Sequence, residues 1–174
     1  MNLFFTGMKH SGKTTFAKRV AQERNKTWAD SDDLILNLIS PLSVREYYKR
    51  FGKEAFLLQE RKAVSEFINS HDDFVLSLGG GICDNTPVME LMKEHGKLIY
   101  LSRPEELLFE KIKQKGLPPF LDTDNPRATF HELFLRRDKI YRSYLDLEIE
   151  LGPYSDKDQT LNFILSKLEE KYGR

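Results

Sequence analysis

The chain has 174 residues, with 27 lysines and arginines against 27 aspartates and glutamates, one cysteine and one tryptophan. That length predicts a single domain, residues 1–174, able to bury about two-thirds of the surface its unfolded chain exposes. A hydrophobic share of 40% beside a charged share of 31% excludes a disordered chain, and a formal charge of zero excludes nucleic-acid binding through a broad basic face.

Short apolar runs alternate with amphipathic stretches, the pattern of repeated βα units on a mainly parallel sheet. Leu3–Thr6 reads as a first strand cut off by Gly7. A helix follows from about Lys13 to Glu23, with Phe16, Ala17 and Val20 on one face. Thr27–Ala29 is a short second strand, and helical patterns occupy Asp33–Ile39, Val44–Arg50 and Lys53–Asn69. Ser43 followed by Glu46 is a capping box for the second of these. Phe74–Leu78 is a buried strand ending at Gly79-Gly80-Gly81, and Lys97–Leu101 is another, followed by a helix from Glu105 to Lys115. Gly116–Arg127, rich in proline and Asp/Asn, reads as a twelve-residue loop without regular structure, a length that points to function. Phe130–Tyr144 is helical, Leu147–Leu151 a last strand and Gln159–Tyr172 a closing helix. Five strands with helices between them predict a three-layer α/β/α domain.

Gly7-Met8-Lys9-His10-Ser11-Gly12-Lys13-Thr14 fits the G-x-x-x-x-G-K-[ST] phosphate loop, placed after a strand and opening a helix as the motif requires. The glycines let backbone N–H groups turn inward around a phosphate, Lys13 reaches the β- and γ-phosphates, and Thr14 offers a hydroxyl to Mg²⁺. Gly7, Lys9, His10, Ser11, Gly12, Lys13, Thr14 and Thr15 are therefore the nucleotide-binding candidates. The competing readings are a glycine-rich turn with a solvated lysine and, for His10, a solvated loop histidine.

Asn25-Lys26-Thr27-Trp28 fails the guanine-specific pattern Asn-Lys-x-Asp. The strand Phe74–Leu78 ends in three glycines instead of the acidic residue that hydrolytic ATPases place there. Glycines at that point admit a small molecule against bare backbone, which favours transfer to an acceptor over hydrolysis. Asp30-Ser31-Asp32-Asp33 ends the second strand on the same sheet edge as the phosphate loop. One carboxylate there can hold a metal-bound water, and another can orient and accept the proton of an attacking hydroxyl. Asp33 reads as an ordinary first-turn helix acid.

Taken together, these residues resemble the shikimate kinases, small P-loop proteins of the nucleoside-monophosphate-kinase-like group. The resemblance runs from Gly7 to about Leu151. It rests on the order phosphate loop, Asp30-Ser31-Asp32, Arg45-Glu46, Gly52-Lys53-Glu54-Ala55-Phe56, Glu60, Leu76-Ser77-Leu78-Gly79-Gly80-Gly81 and Arg137 with Tyr141. It implies a five-stranded parallel sheet, substrate-binding helices over about 33–70, a mobile lid over about 116–127, ATP and Mg²⁺ as cofactors, and shikimate as acceptor. By resemblance Asp32 holds the substrate hydroxyls, Asp30 sits near Mg²⁺ with Thr14, Gly79, Gly80 and Gly81 contact substrate, and Arg137 is a basic substrate contact. Lys111 stands where the family has an adenine-side arginine.

Two positions depart from the family pattern. Leu57 follows Phe56 where the family has an arginine, and Pro118-Pro119-Phe120-Leu121 stands where the lid carries Arg-Pro-Leu-Leu. Arg61, one helical turn past Leu57, and Arg127 are the candidate substitutes, with a solvated-surface role as the alternative for each. Two further functional readings follow: a kinase of this scaffold with another small hydroxylated acceptor, and a nucleotide-binding regulatory module without transfer activity.

Lone Cys83 excludes an intramolecular disulfide and a cysteine-based zinc site. No apolar run approaches the roughly 18 residues of a membrane span, and Met1-Asn2-Leu3-Phe4-Phe5 lacks the basic start of a signal peptide. The expectation is a cytoplasmic monomer with a small-molecule partner and neither membrane nor nucleic acid.

Overall fold

The computed structural model of the chain describes residues 1–121 and 123–173. Five strands, β1 (Leu3–Thr6), β2 (Thr27–Asp30), β3 (Phe74–Ser77), β4 (Lys97–Ser102) and β5 (Leu147–Glu150), form one sheet in the order β2-β3-β1-β4-β5. Every pairing is parallel, with Asp30 opposite Ser77 and Phe5 opposite Ser77 in register. The C-terminal ends of β1, β2 and β3 therefore share one edge, where ligands bind in open α/β sheets.

Alternation along the strands builds two cores, one per face. Phe4, Phe74, Leu76, Leu98 and Tyr100 point to the face covered by α3 (Val44–Ser70), α4 (Thr86–His95), α5 (Glu105–Lys115) and α6 (Pro126–Tyr144). Leu3, Phe5, Val75, Ile99, Leu101 and Ile149 point to the other, covered by α1 (Lys13–Glu23) and α7 (Lys157–Tyr172). The three-layer architecture follows. A third, smaller cluster of Ile35, Ile39 and Ala63, with Phe56 and Tyr47 against it, seats α2 (Ser31–Ile39) on α3.

Three elements differ from the sequence reading. α4 has no counterpart there; Pro87 in its first turn and Val88, Met89 and Met92 buried along one side give it a helical pattern. The helical patterns over 44–50 and 53–69 hold as two helical stretches of α3 separated by Gly52, whose φ of 83° and ψ of 177° are not helical. Only glycine adopts that conformation without strain. The loop 116–127 is not wholly irregular, because Pro119–Leu121 forms a 3₁₀ turn and α6 already begins at Pro126, capped by the Asn125 side chain. Within that turn Leu121 is fully buried while Phe120 is exposed. No helix among the described residues is long and apolar enough to cross a membrane.

Candidate active site

The loop after β1 is shaped by its glycines. Gly7 has a φ of 151°, and a Cβ there would come within 2.6 Å of both the Leu101 carbonyl and Ser11 Oγ. Gly12 caps α1 at a φ of 101°. Ser11 is fully buried beneath the loop, and its N–H donates to the Met8 carbonyl at 3.1 Å. Lys13 opens α1 with Nζ 3.5 Å from the Met8 carbonyl. Burial lowers the Lys13 ammonium from the usual lysine range, and the nearby Asp32 and Asp30 counter that loss. Burial, then Lys9, Lys13, Lys111 and Lys115, lower the His10 imidazole from the usual histidine range. Those four lysines make the mouth of the loop a cationic funnel, the requirement for a polyphosphate ligand.

β2 brings the acids. Asp30 Oδ2 accepts from Thr14 Oγ1 at 3.0 Å and from Ser77 Oγ, while its Oδ1 accepts the Asp32 N–H at 2.9 Å as the N-cap of α2. One carboxylate thus joins the phosphate loop, β3 and the helix that bears Asp32. Asp32 is reached by solvent through the open cleft but lies deep among protein atoms. That enclosure, followed by the charge of Asp30, pushes its carboxyl above the usual range, against the pull of Lys13.

The glycines after β3 complete the cleft. Ser31 Oγ accepts the Gly79 N–H at 2.8 Å, and a side chain at Gly79 would collide with Asp32 Oδ1. A Cβ at Gly80 would lie 3.6 Å from the Lys9 nitrogen, and one at Gly81 would lie 3.5 Å from Arg137 Nη2. Buried Tyr141 donates its hydroxyl to the Gly80 carbonyl at 2.7 Å, fixing that turn from α6. Lys13, Thr14, Asp30, Asp32, Gly79–Gly81 and Arg137 thus converge on one cleft, although they come from four separate segments of the chain.

A sequence model of the shikimate kinase family matches residues 9–169. The chain belongs to the shikimate kinase family. It is 31% identical over 156 residues to a shikimate kinase of Nitrosospira multiformis, covering 90% of this chain and 79% of that one. It is 29% identical over 149 residues to one of Francisella tularensis subsp. holarctica, covering 86% and 84%. Among solved structures it resembles a shikimate kinase from Acinetobacter baumannii in complex with shikimate, with a TM-score of 0.83, 26% identity, and coverage of 98% and 94%. The family identity makes it a small-molecule kinase that uses ATP and Mg²⁺.

On the nucleotide side of this family scaffold, a cavity of about 470 Å³ is lined by His10, Thr15, Lys111 and Tyr154. The Tyr154 ring lies 4.3 Å from the Arg103 guanidinium and 5.0 Å from Lys111 Nζ, and its hydroxyl donates to the His10 carbonyl at 2.9 Å. Arg103 Nε donates to the Ser11 carbonyl at 3.0 Å, bracing the loop from behind. Arg103 and Tyr154 carry no motif in the sequence, and only the folded chain brings them to the loop.

The two departures from the family stand out in three dimensions. Leu57 lies on α3 with its carbonyl accepting from Asn85 Nδ2 at 2.9 Å, and the same amide donates to buried Glu60 at 2.8 Å. Glu60 is legible in the sequence only as part of the helix motif. Burial, with Asp32 and Asp84 nearby, raises its carboxyl to about 7 despite the Asn85 hydrogen bond. Arg61, the next residue of α3, is exposed. Arg127 pairs with Glu105 at 2.8 Å and Glu106 at 2.7 Å, tied to the start of α5.

Proposed function

We propose that this chain transfers the γ-phosphoryl group of ATP to a hydroxyl of shikimate, with Asp32 as the acid that orients the hydroxyl and takes its proton. The carrying observation is that Lys13, Asp32 and the bare backbone of Gly79–Gly81 face one cleft. Lys13 neutralises the β- and γ-phosphates, and Thr14 and Asp30, 3.0 Å apart, are the residues that would hold Mg²⁺. Mg²⁺ held there would offset phosphate charge. The acceptor oxygen attacks the γ-phosphorus, and the bond to the β–γ bridging oxygen breaks with its electron pair leaving on ADP. The hydroxyl proton passes to Asp32, whose raised affinity for protons suits it to receive one. Gly79, Gly80 and Gly81 admit the acceptor ring against backbone, and Arg137 holds its carboxylate. The nucleobase occupies the cavity beside Lys111 and Tyr154, with Lys9, His10, Ser11, Gly12 and Thr15 lining the phosphate path. Arg61 is the reserve cation on α3. The chain acts as one domain with a lid over 116–127, as a monomer in the cytoplasm.

Asp32→Asn tests the central role. Turnover should fall about a hundredfold or more while ATP affinity stays within about threefold, both measured on one preparation. Equal turnover in the variant would return Asp32 to a helix-capping acid.

A further inference from the structure

Consecutive arginines on α6 reach the same carboxylate. Asp84, at the end of the 3₁₀ turn that follows Gly79–Gly81, is held by both guanidinium nitrogens of Arg136, one of them at 3.3 Å. Arg137 Nη2 reaches the same Asp84 oxygen at 3.3 Å. Burial alone would raise the Asp84 carboxyl, but Arg136 and Arg137 together hold it below the usual range. Asp84 and Arg137 are largely enclosed, with side chains 22% and 17% exposed, so their charges are poorly screened. The Nε of Arg137 is buried with no hydrogen-bond partner among the described residues, and its guanidinium lies against Gly80 and Gly81.

The charge balance of this wall is unusual. Leu57 contributes no cation, Asp32, Glu60 and Asp84 are acids around the acceptor side, and the Arg137 Nη2 that lies nearest Gly81 also bonds Asp84. An Asp84–Arg137 pair by itself carries no net charge to attract a carboxylate. Adding Arg136, its side chain 52% exposed, brings this cluster of three side chains to plus one.

We propose that Arg136 is a positioning residue for acceptor binding: by engaging Asp84 through two nitrogens it leaves the charge of Arg137 free for the acceptor's carboxylate. The inference rests on the reading of shikimate as acceptor and extends it to how this pocket holds an anion without an arginine at position 57.

Binding by the wild type and three variants tests it, with shikimate and its uncharged methyl ester titrated separately into folded protein. Arg136→Gln should weaken shikimate binding about tenfold or more, leaving the ester and ATP within about twofold. Arg136→Lys should retain most of the affinity. Arg136→Gln combined with Asp84→Asn should recover it, because the acid that cancels Arg137 is gone. Unchanged shikimate binding in Arg136→Gln, an equal loss for the ester, or no recovery in the double variant would each overturn the proposal. A wild type that binds no shikimate would instead overturn the acceptor reading, and this inference with it.

Discussion

Thr14 Oγ1 donates to Asp30 Oδ2 at 3.0 Å, joining the first turn of α1 to the end of β2. The parallel register that sets Asp30 opposite Ser77 also delivers the Ser77 hydroxyl to the same oxygen. On the proposed function, this hydroxyl and carboxylate would hold Mg²⁺ beside the nucleotide phosphates, an ion that takes one or two protein ligands and keeps its waters.

Because the two groups act as one unit, their losses should not add. Thr14→Ala and Asp30→Ala are each expected to lower the Mg²⁺-dependent part of ATP affinity by about tenfold, and the double variant by little more. Calorimetry with and without Mg²⁺ in all four proteins checks this. Strictly additive losses would mean that the two side chains serve separate purposes.

Gly79 gives a steric prediction. A methyl group at this position would overlap Asp32 Oδ1, and the backbone is tied down by the Ser31 hydrogen bond. Asp32 must move, and misplacing a reacting group by about an ångström costs on the order of a hundredfold in rate. Gly79→Ala should therefore lose turnover with nucleotide affinity nearly unchanged, as steady-state kinetics and ATP titration will show.

Much of this site is legible in the chain because it is written in contiguous segments. The phosphate loop, the acids after β2 and the glycines after β3 each carry their own chemistry, and parallel βα topology forces their strand ends together. The helix α4 is also readable, from Pro87 in its first turn and the buried Val88, Met89 and Met92 pattern. The break at Gly52 is legible as well, since this glycine between two helical patterns separates them in the fold. Contacts such as Arg103 to the Ser11 carbonyl, Tyr154 to the His10 carbonyl and Arg136 to Asp84 join residues 92, 144 and 52 positions apart, which no local pattern encodes.

Glu60 links the acceptor side to stability. Its carboxyl titrates at about 7 instead of 4.5, so the folded state binds the proton more tightly than the unfolded one. Stability is then full below the unfolded value and falls as pH rises through about 7. Each pH unit that separates the folded from the unfolded value is worth about 1.4 kcal/mol, which makes the loss on the order of 3 kcal/mol. Glu60→Gln keeps an acceptor for Asn85 and has nothing to ionise. Denaturant unfolding at pH 5 and pH 8 should show the variant close to wild type at the lower pH and more stable at the higher. Parallel pH profiles for the two proteins would remove Glu60 as the source.

The central claim is transfer of phosphate to the acceptor hydroxyl. Its most direct test is ADP release from MgATP with and without shikimate, together with phosphorus NMR of the products. The account predicts shikimate-dependent ADP release matched mole for mole by a phosphate monoester of shikimate, with little ADP formed in its absence. ADP release that ignores shikimate and yields only inorganic phosphate would contradict it.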